Sequence, residues 1–75
     1  MNLDEFVKAF AEEFDETPAE VFKADTKYRQ LEEWSSLIAL SIISMVDDQY
    51  DKTITGADIR STTTIEDLYN IVKSK

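Results

Sequence analysis

The sequence predicts an all-α fold: a small bundle of three main helices plus one or two short helices, with a long first loop, as a single domain over residues 1–75. Three observations predict it. Apolar residues recur at the 3.6-residue helical period in three separate stretches. Each of these stretches is preceded by residues that cap helices. No stretch alternates apolar and polar residues as a half-buried strand does.

The first helix is expected from about Leu3 to Phe14, because Leu3, Phe6, Val7, Phe10 and Phe14 fall on one stripe and Asn2 with Glu5 reads as a capping pair. Lys8, Glu12 and Glu13 make its polar face, so the phenylalanines read as core. From Asp15 to Trp34 the periodicity weakens. Thr17-Pro18-Ala19-Glu20 reads as a cap, a first-turn proline and a capping-box glutamate, opening a short turn of helix through Val21 and Phe22. The rest is an ordered connection for which Val21, Phe22, Tyr28 and Leu31 are the expected anchors.

The central helix runs from roughly Ser36 to Tyr50, with Ser35 as its N-cap. Ala39, Ile42, Ile43, Val46 and Tyr50 share a core-facing arc, while Ser41, Ser44 and Asp48 sit opposite. Leu37 falls in the middle of the polar arc, and Ile38, Leu40 and Met45 lie on its shoulders. The apolar surface is wider than one core contact needs, which marks a docking site. Asp51 to Ile54 is a connection, Thr55 caps a very short helix reaching Ile59 or Arg60, and Thr63-Thr64-Ile65-Glu66 is the expected capping box of a last helix. That helix carries Ile65, Leu68, Tyr69 and Val72 on one stripe and ends near Lys73.

A formal charge of -8 argues against nucleic acid and anionic membranes, which reward lysine and arginine. Between Gln30 and Asp51 there is no Lys or Arg, while Glu32, Glu33, Asp47, Asp48 and Asp51 lie there. This acidic run is either a solvated face or a means of steering a basic partner. The absence of Cys and His removes disulfides, a thiolate nucleophile and the usual neutral-pH proton shuttle, so the chain is not expected to be an enzyme. The N-terminal Met1-Asn2-Leu3-Asp4-Glu5 is acidic where a signal peptide is basic, and the longest apolar run is far too short to span a bilayer, so a cytoplasmic protein is expected; a monomer is the expected state. Asp51, Thr53, Thr55 and Gly56 fall on calcium-loop positions, but Thr62 stands where the bidentate glutamate is needed. Asp47 and Asp48 are helix neighbours whose side chains diverge, so they are not a working acid–base pair.

Serines before an apolar helix are most often caps. The whole layout, however, resembles the acyl carrier protein family. The resemblance rests on Ser35-Ser36-Leu37 in place of the family's Asp-Ser-Leu, the Phe-rich first helix, the loop from Asp25 to Leu31, the helix from Ser36 to Tyr50, and the closing Thr63-Thr64-Ile65-Glu66-Asp67-Leu68. It covers nearly the whole chain and implies a carrier fold with 4'-phosphopantetheine attached covalently, from coenzyme A, to Ser36. It further implies acyl intermediates held as thioesters and passed between biosynthetic enzymes of a fatty acid, polyketide or specialised acyl or aminoacyl pathway. The implied partners are a phosphopantetheinyl transferase and acyl-transferring or acyl-modifying enzymes with basic surfaces. Leu37, Ile38, Leu40, Met45, Asp47 and Asp48 are the expected partner contacts.

Ser35 stands where the family has aspartate, keeping the cap without the charge. Glu33 and Trp34 replace a Gly-containing approach, and Ile38 and Ser41 stand where many fatty-acid carriers are acidic. A second reading follows from the first of these departures: an unmodified carrier-like helical interaction module that binds a basic protein partner through its acidic face.

Overall fold

Asn2 Oδ1 accepts from the Glu5 amide at 2.8 Å and starts α1, Leu3–Ala11. The computed structural model describes residues 2–75. It continues with 3-10 turns at Ala19–Val21 and Tyr28–Gln30, then α2 (Ser36–Tyr50), α3 (Gly56–Arg60) and α4 (Ile65–Ser74). The all-helical bundle expected from the sequence is therefore present, with a single isolated bridge, Lys27 to Thr64, among the described residues.

The core forms where the apolar stripes of α1, α2 and α4 meet. Phe6 and Phe10 of α1, Ile42 and Val46 of α2, and Leu68 and Val72 of α4 are completely or almost completely buried. Burial of side chains of this size contributes about 1.5–3 kcal/mol each, which is why the stripes and not intrinsic helix propensity hold the bundle together. An aromatic chain extends this core under the long loop. Phe10 meets Tyr28 edge-on at 5.0 Å, and Phe14 packs against Phe22 at 4.8 Å.

The loop is tied to the far end of the bundle by polar contacts. The buried Tyr28 hydroxyl bonds the Ile59 carbonyl at 3.2 Å and also the Thr62 hydroxyl. The Arg29 guanidinium donates through Nη2 and Nε to the Thr62 carbonyl, at 2.7 and 3.2 Å. The Ile65 and Glu66 amides, which lack partners within α4, donate to the carbonyls of Thr26 and Ala24. Loop and helix start thus satisfy one another.

Four local expectations need correction. First, α1 ends at Ala11, not Phe14: two tighter turns, with the Glu13 amide on Phe10 and the Phe14 amide on Ala11, still bring Phe14 into the core. Second, the Thr17–Glu20 capping box does not form, because Pro18 is the N-cap residue without a side-chain bond and Thr17 is engaged by Glu33. Third, Val21 is 40% exposed and is no anchor, whereas Phe22 and Tyr28 are buried and Leu31 is partly so. Fourth, the last capping box lies one residue later than expected, between Thr64 and Asp67. The bridge to Lys27 holds Thr64 extended, so the helix begins at the buried Ile65.

Candidate functional site

Trp34 precedes the two serines and fixes where they sit. Its ring lies edge-on to Tyr28 at 5.1 Å and stacks with Phe14 at 6.4 Å, while its amide donates to the Leu31 carbonyl. The chain then turns outward. Ser35 is extended and is the N-cap of α2, its hydroxyl oxygen accepting from the Ile38 amide at 3.3 Å. Ser36 is the first residue of the helix and is exposed. The serine singled out by the resemblance is therefore on the surface, beside amides of a first turn that favours negative charge.

Leu37 is 76% exposed and Leu40 62%, a large apolar pair three residues apart on one side of α2. They share an open groove with Ser41, Ser44, Asp47 and Asp48. Glu13, from the turn after α1, adds a carboxylate to the same groove; partial burial, and then the neighbouring Glu12, push its pKa up. Among the expected partner contacts, Leu37, Leu40, Asp47 and Asp48 are exposed, and Ile38 is half-buried against the core. Met45 requires a correction. At 4% exposed it belongs to the core, because α1 packs against α2 and turns this shoulder of the helix inward. It reaches the groove only as part of its floor.

Asp47 and Asp48 lie in the last turn of α2, where there is no basic residue and the helix dipole disfavours negative charge. Asp51, at the C-cap, adds a third carboxylate and takes a left-handed conformation with φ 55. The acidic end of α2 is thus placed against local helix preference.

On the other side of Ser36 is a recess of about 250 Å³ between the start of α2 and α3. Arg29, Trp34, Ser36, Gly56 and Arg60 contribute to its lining. These are the chain's two arginines, from opposite sides of the long central acidic run. Sequence reasoning missed both, along with Glu13 and Glu33. The spacing of Arg29 and Arg60 carries no periodic signal; only the Arg29 contact with Thr62 and the packing of α3 on α2 bring them together.

Glu33 ties down the loop that leads into the site. Its carboxylate accepts from the amides of Asp15, Glu16 and Thr17 at 2.8–3.0 Å and from the Thr17 hydroxyl at 2.7 Å. The Thr17 hydroxyl, followed by these amides, holds its pKa below the ordinary carboxylate value. Chemically, a recess lined by two arginines and by an exposed serine at a helix start suits an anion.

Among the described residues no group of three or more His, Cys, Asp or Glu could hold a metal ion, and no helix is long and apolar enough to cross a membrane. Compared with known proteins, the chain matches no family model, no curated protein and no solved structure.

Proposed function

We propose that this chain is an acyl carrier domain that bears 4'-phosphopantetheine on Ser36 and presents acyl groups to successive enzymes. One observation carries the reading: an exposed serine at the first position of the central helix, followed directly by an exposed leucine, in a chain with no thiol of its own. A free hydroxyl there is accessible to a transferase, and a helix start favours the negative charge that attachment introduces. Attachment joins the Ser36 oxygen to the phosphorus of coenzyme A that bears the pantetheine. The bond between the two phosphates breaks, and the adenosine bisphosphate half leaves as the serine proton is lost. When bound, the group supplies the thiol on which an acyl group rides as a thioester.

The residues around Ser36 fit this role. Leu37 and Leu40 offer a shallow apolar contact, and Asp47, Asp48 and Glu13 place negative charge around it. Charge of this kind speeds encounter with basic surfaces, and a small contact area lets the partner leave quickly. The carboxylates at the end of α2 gain nothing from the helix dipole, which favours a role outside folding.

The test is direct. Apo protein is incubated with coenzyme A and a phosphopantetheinyl transferase, and intact mass is recorded for wild type, Ser35→Ala and Ser36→Ala. Gain of one arm by wild type and Ser35→Ala, and none by Ser36→Ala, is the expected result. No gain with several transferases supports instead the unmodified module, a reading favoured by the replacement of aspartate with Ser35.

A further inference from the structure

We infer that Arg29 and Arg60 form a cradle for the phosphodiester of an arm attached to Ser36, holding the base of that arm in the recess between α2 and α3. This rests on the carrier reading and deepens it, because it assigns two residues of this chain to the tethered group.

The placement of positive charge is the first argument. The chain has eight lysines and arginines against sixteen acidic residues, and its only two arginines line the recess that also contains Ser36. They reach it from separate elements, Arg29 from the long loop and Arg60 from the end of α3. A guanidinium presents five N–H donors in a planar fork that matches phosphate oxygens, and it stays protonated at any physiological pH.

The Arg29 guanidinium is oriented by the fold, and the exposed Arg60 lies over the start of α3. Arg29 commits Nε and Nη2 to the Thr62 carbonyl, which orients the group and leaves further N–H donors unspent. Arg60 folds back along α3 toward Gly56: a Cβ built there would lie 3.2 Å from Arg60 Nη1, at the end of a flexible side chain. The structural roles of each arginine, a bond to Thr62 and a favourable charge in the last turn of α3, account for them singly. They do not account for both lining one recess beside Ser36.

The recess has the right scale. At about 250 Å³ it exceeds several times the roughly 30 Å³ that one water occupies in the liquid, so it takes a phosphate group and the first atoms of a chain beyond it. The tethered phosphodiester is singly charged over the whole neutral range, so its attraction to the arginines does not switch with pH.

The experiment uses the whole protein labelled with nitrogen-15, converted to the arm-bearing form and checked by intact mass. Attachment is expected to shift the Arg29 and Arg60 side-chain Nε–Hε signals. It should also give a phosphorus-31 resonance displaced and broadened relative to the same protein unfolded in urea. Arg60→Gln, at an exposed position, should move that resonance back toward the unfolded value while leaving the melting temperature near wild type; Arg60→Lys should restore part of the shift. A mass gain with unmoved arginine signals, or a phosphorus resonance indifferent to Arg60→Gln, overturns the cradle and leaves the carrier reading standing. No mass gain removes the carrier reading and the cradle with it.

Discussion

Thr17 and Glu33, 16 residues apart, are joined twice: the Thr17 amide at 2.8 Å and its hydroxyl at 2.7 Å both donate to Glu33 Oε1. With the Asp15 and Glu16 amides on the same carboxylate, this contact closes the first half of the long loop just before Trp34 and the two serines. The position of Ser36 therefore depends on a charge three residues upstream of it.

That dependence sets a pH response. A carboxylate whose folded-state pKa is depressed stabilises the fold fully above its ordinary value, 4.5 for Glu33, and that stability is lost as pH falls through the lower folded-state value. Asp58, held down by Lys75, and Asp67, held down by the Thr64 and Thr63 amides, have the same sign. Urea unfolding followed from about pH 7 to about pH 3 should show stability falling toward acid, and Glu33→Gln should flatten that fall. Glu32→Gln, at the exposed neighbouring position, removes one charge without touching the Asp15–Thr17 amides and is the control.

The correction at Met45 gives a paired test on α2. Met45→Ala should cost about 2–4 kcal/mol in urea unfolding, since it removes a core side chain. Leu37→Ala and Leu40→Ala should each change stability by less than about 0.5 kcal/mol, because both side chains are already in solvent. On the proposed carrier reading their effect belongs in binding: both should weaken capture by a phosphopantetheinyl transferase in a surface-binding assay. A loss of stability at Leu37 comparable to that at Met45 would contradict the exposed placement.

Asp51 is the one non-glycine residue with positive φ among the described residues, and it sits where the helix dipole disfavours its charge. Asp51→Gly should therefore stabilise the protein by about 0.5–1 kcal/mol, read as a rise in the urea midpoint with an unchanged slope. Destabilisation would mean that the Asp51 side chain holds the connection to α3 together.

Tyr28→Phe removes the hydroxyl that ties the loop to Ile59 and Thr62 but keeps the ring against Phe10 and Trp34. The expected loss is about 1–2 kcal/mol, because a buried polar contact is broken without a cavity being opened. Faster amide hydrogen exchange in residues 26–34 and 59–65 should accompany it, since this hydroxyl links the two segments. An unchanged exchange pattern would show that Arg29 and the α4 amides suffice to hold the loop.

The residue order alone was enough for the helices, their core stripes and most of their caps, because these depend on neighbours three or four positions apart. Ser35 as N-cap, Thr55 opening α3, and the buried series Ile65, Leu68, Tyr69 and Val72 all follow from such local spacing. Ser36 at the first position of α2 was legible for the same reason. Periodicity could not decide Met45, because a residue on the shoulder of a helix is buried or exposed according to what packs beside it. Nor could it find Glu33 under the Asp15–Thr17 turn, or Arg29 and Arg60 on one recess, since residues 17 and 33 or 29 and 62 meet only when the chain folds back on itself. Local hydrogen bonding and side-chain spacing write the helices into the order of residues; the surroundings of the serine come from long-range closure, which no short window of that order contains.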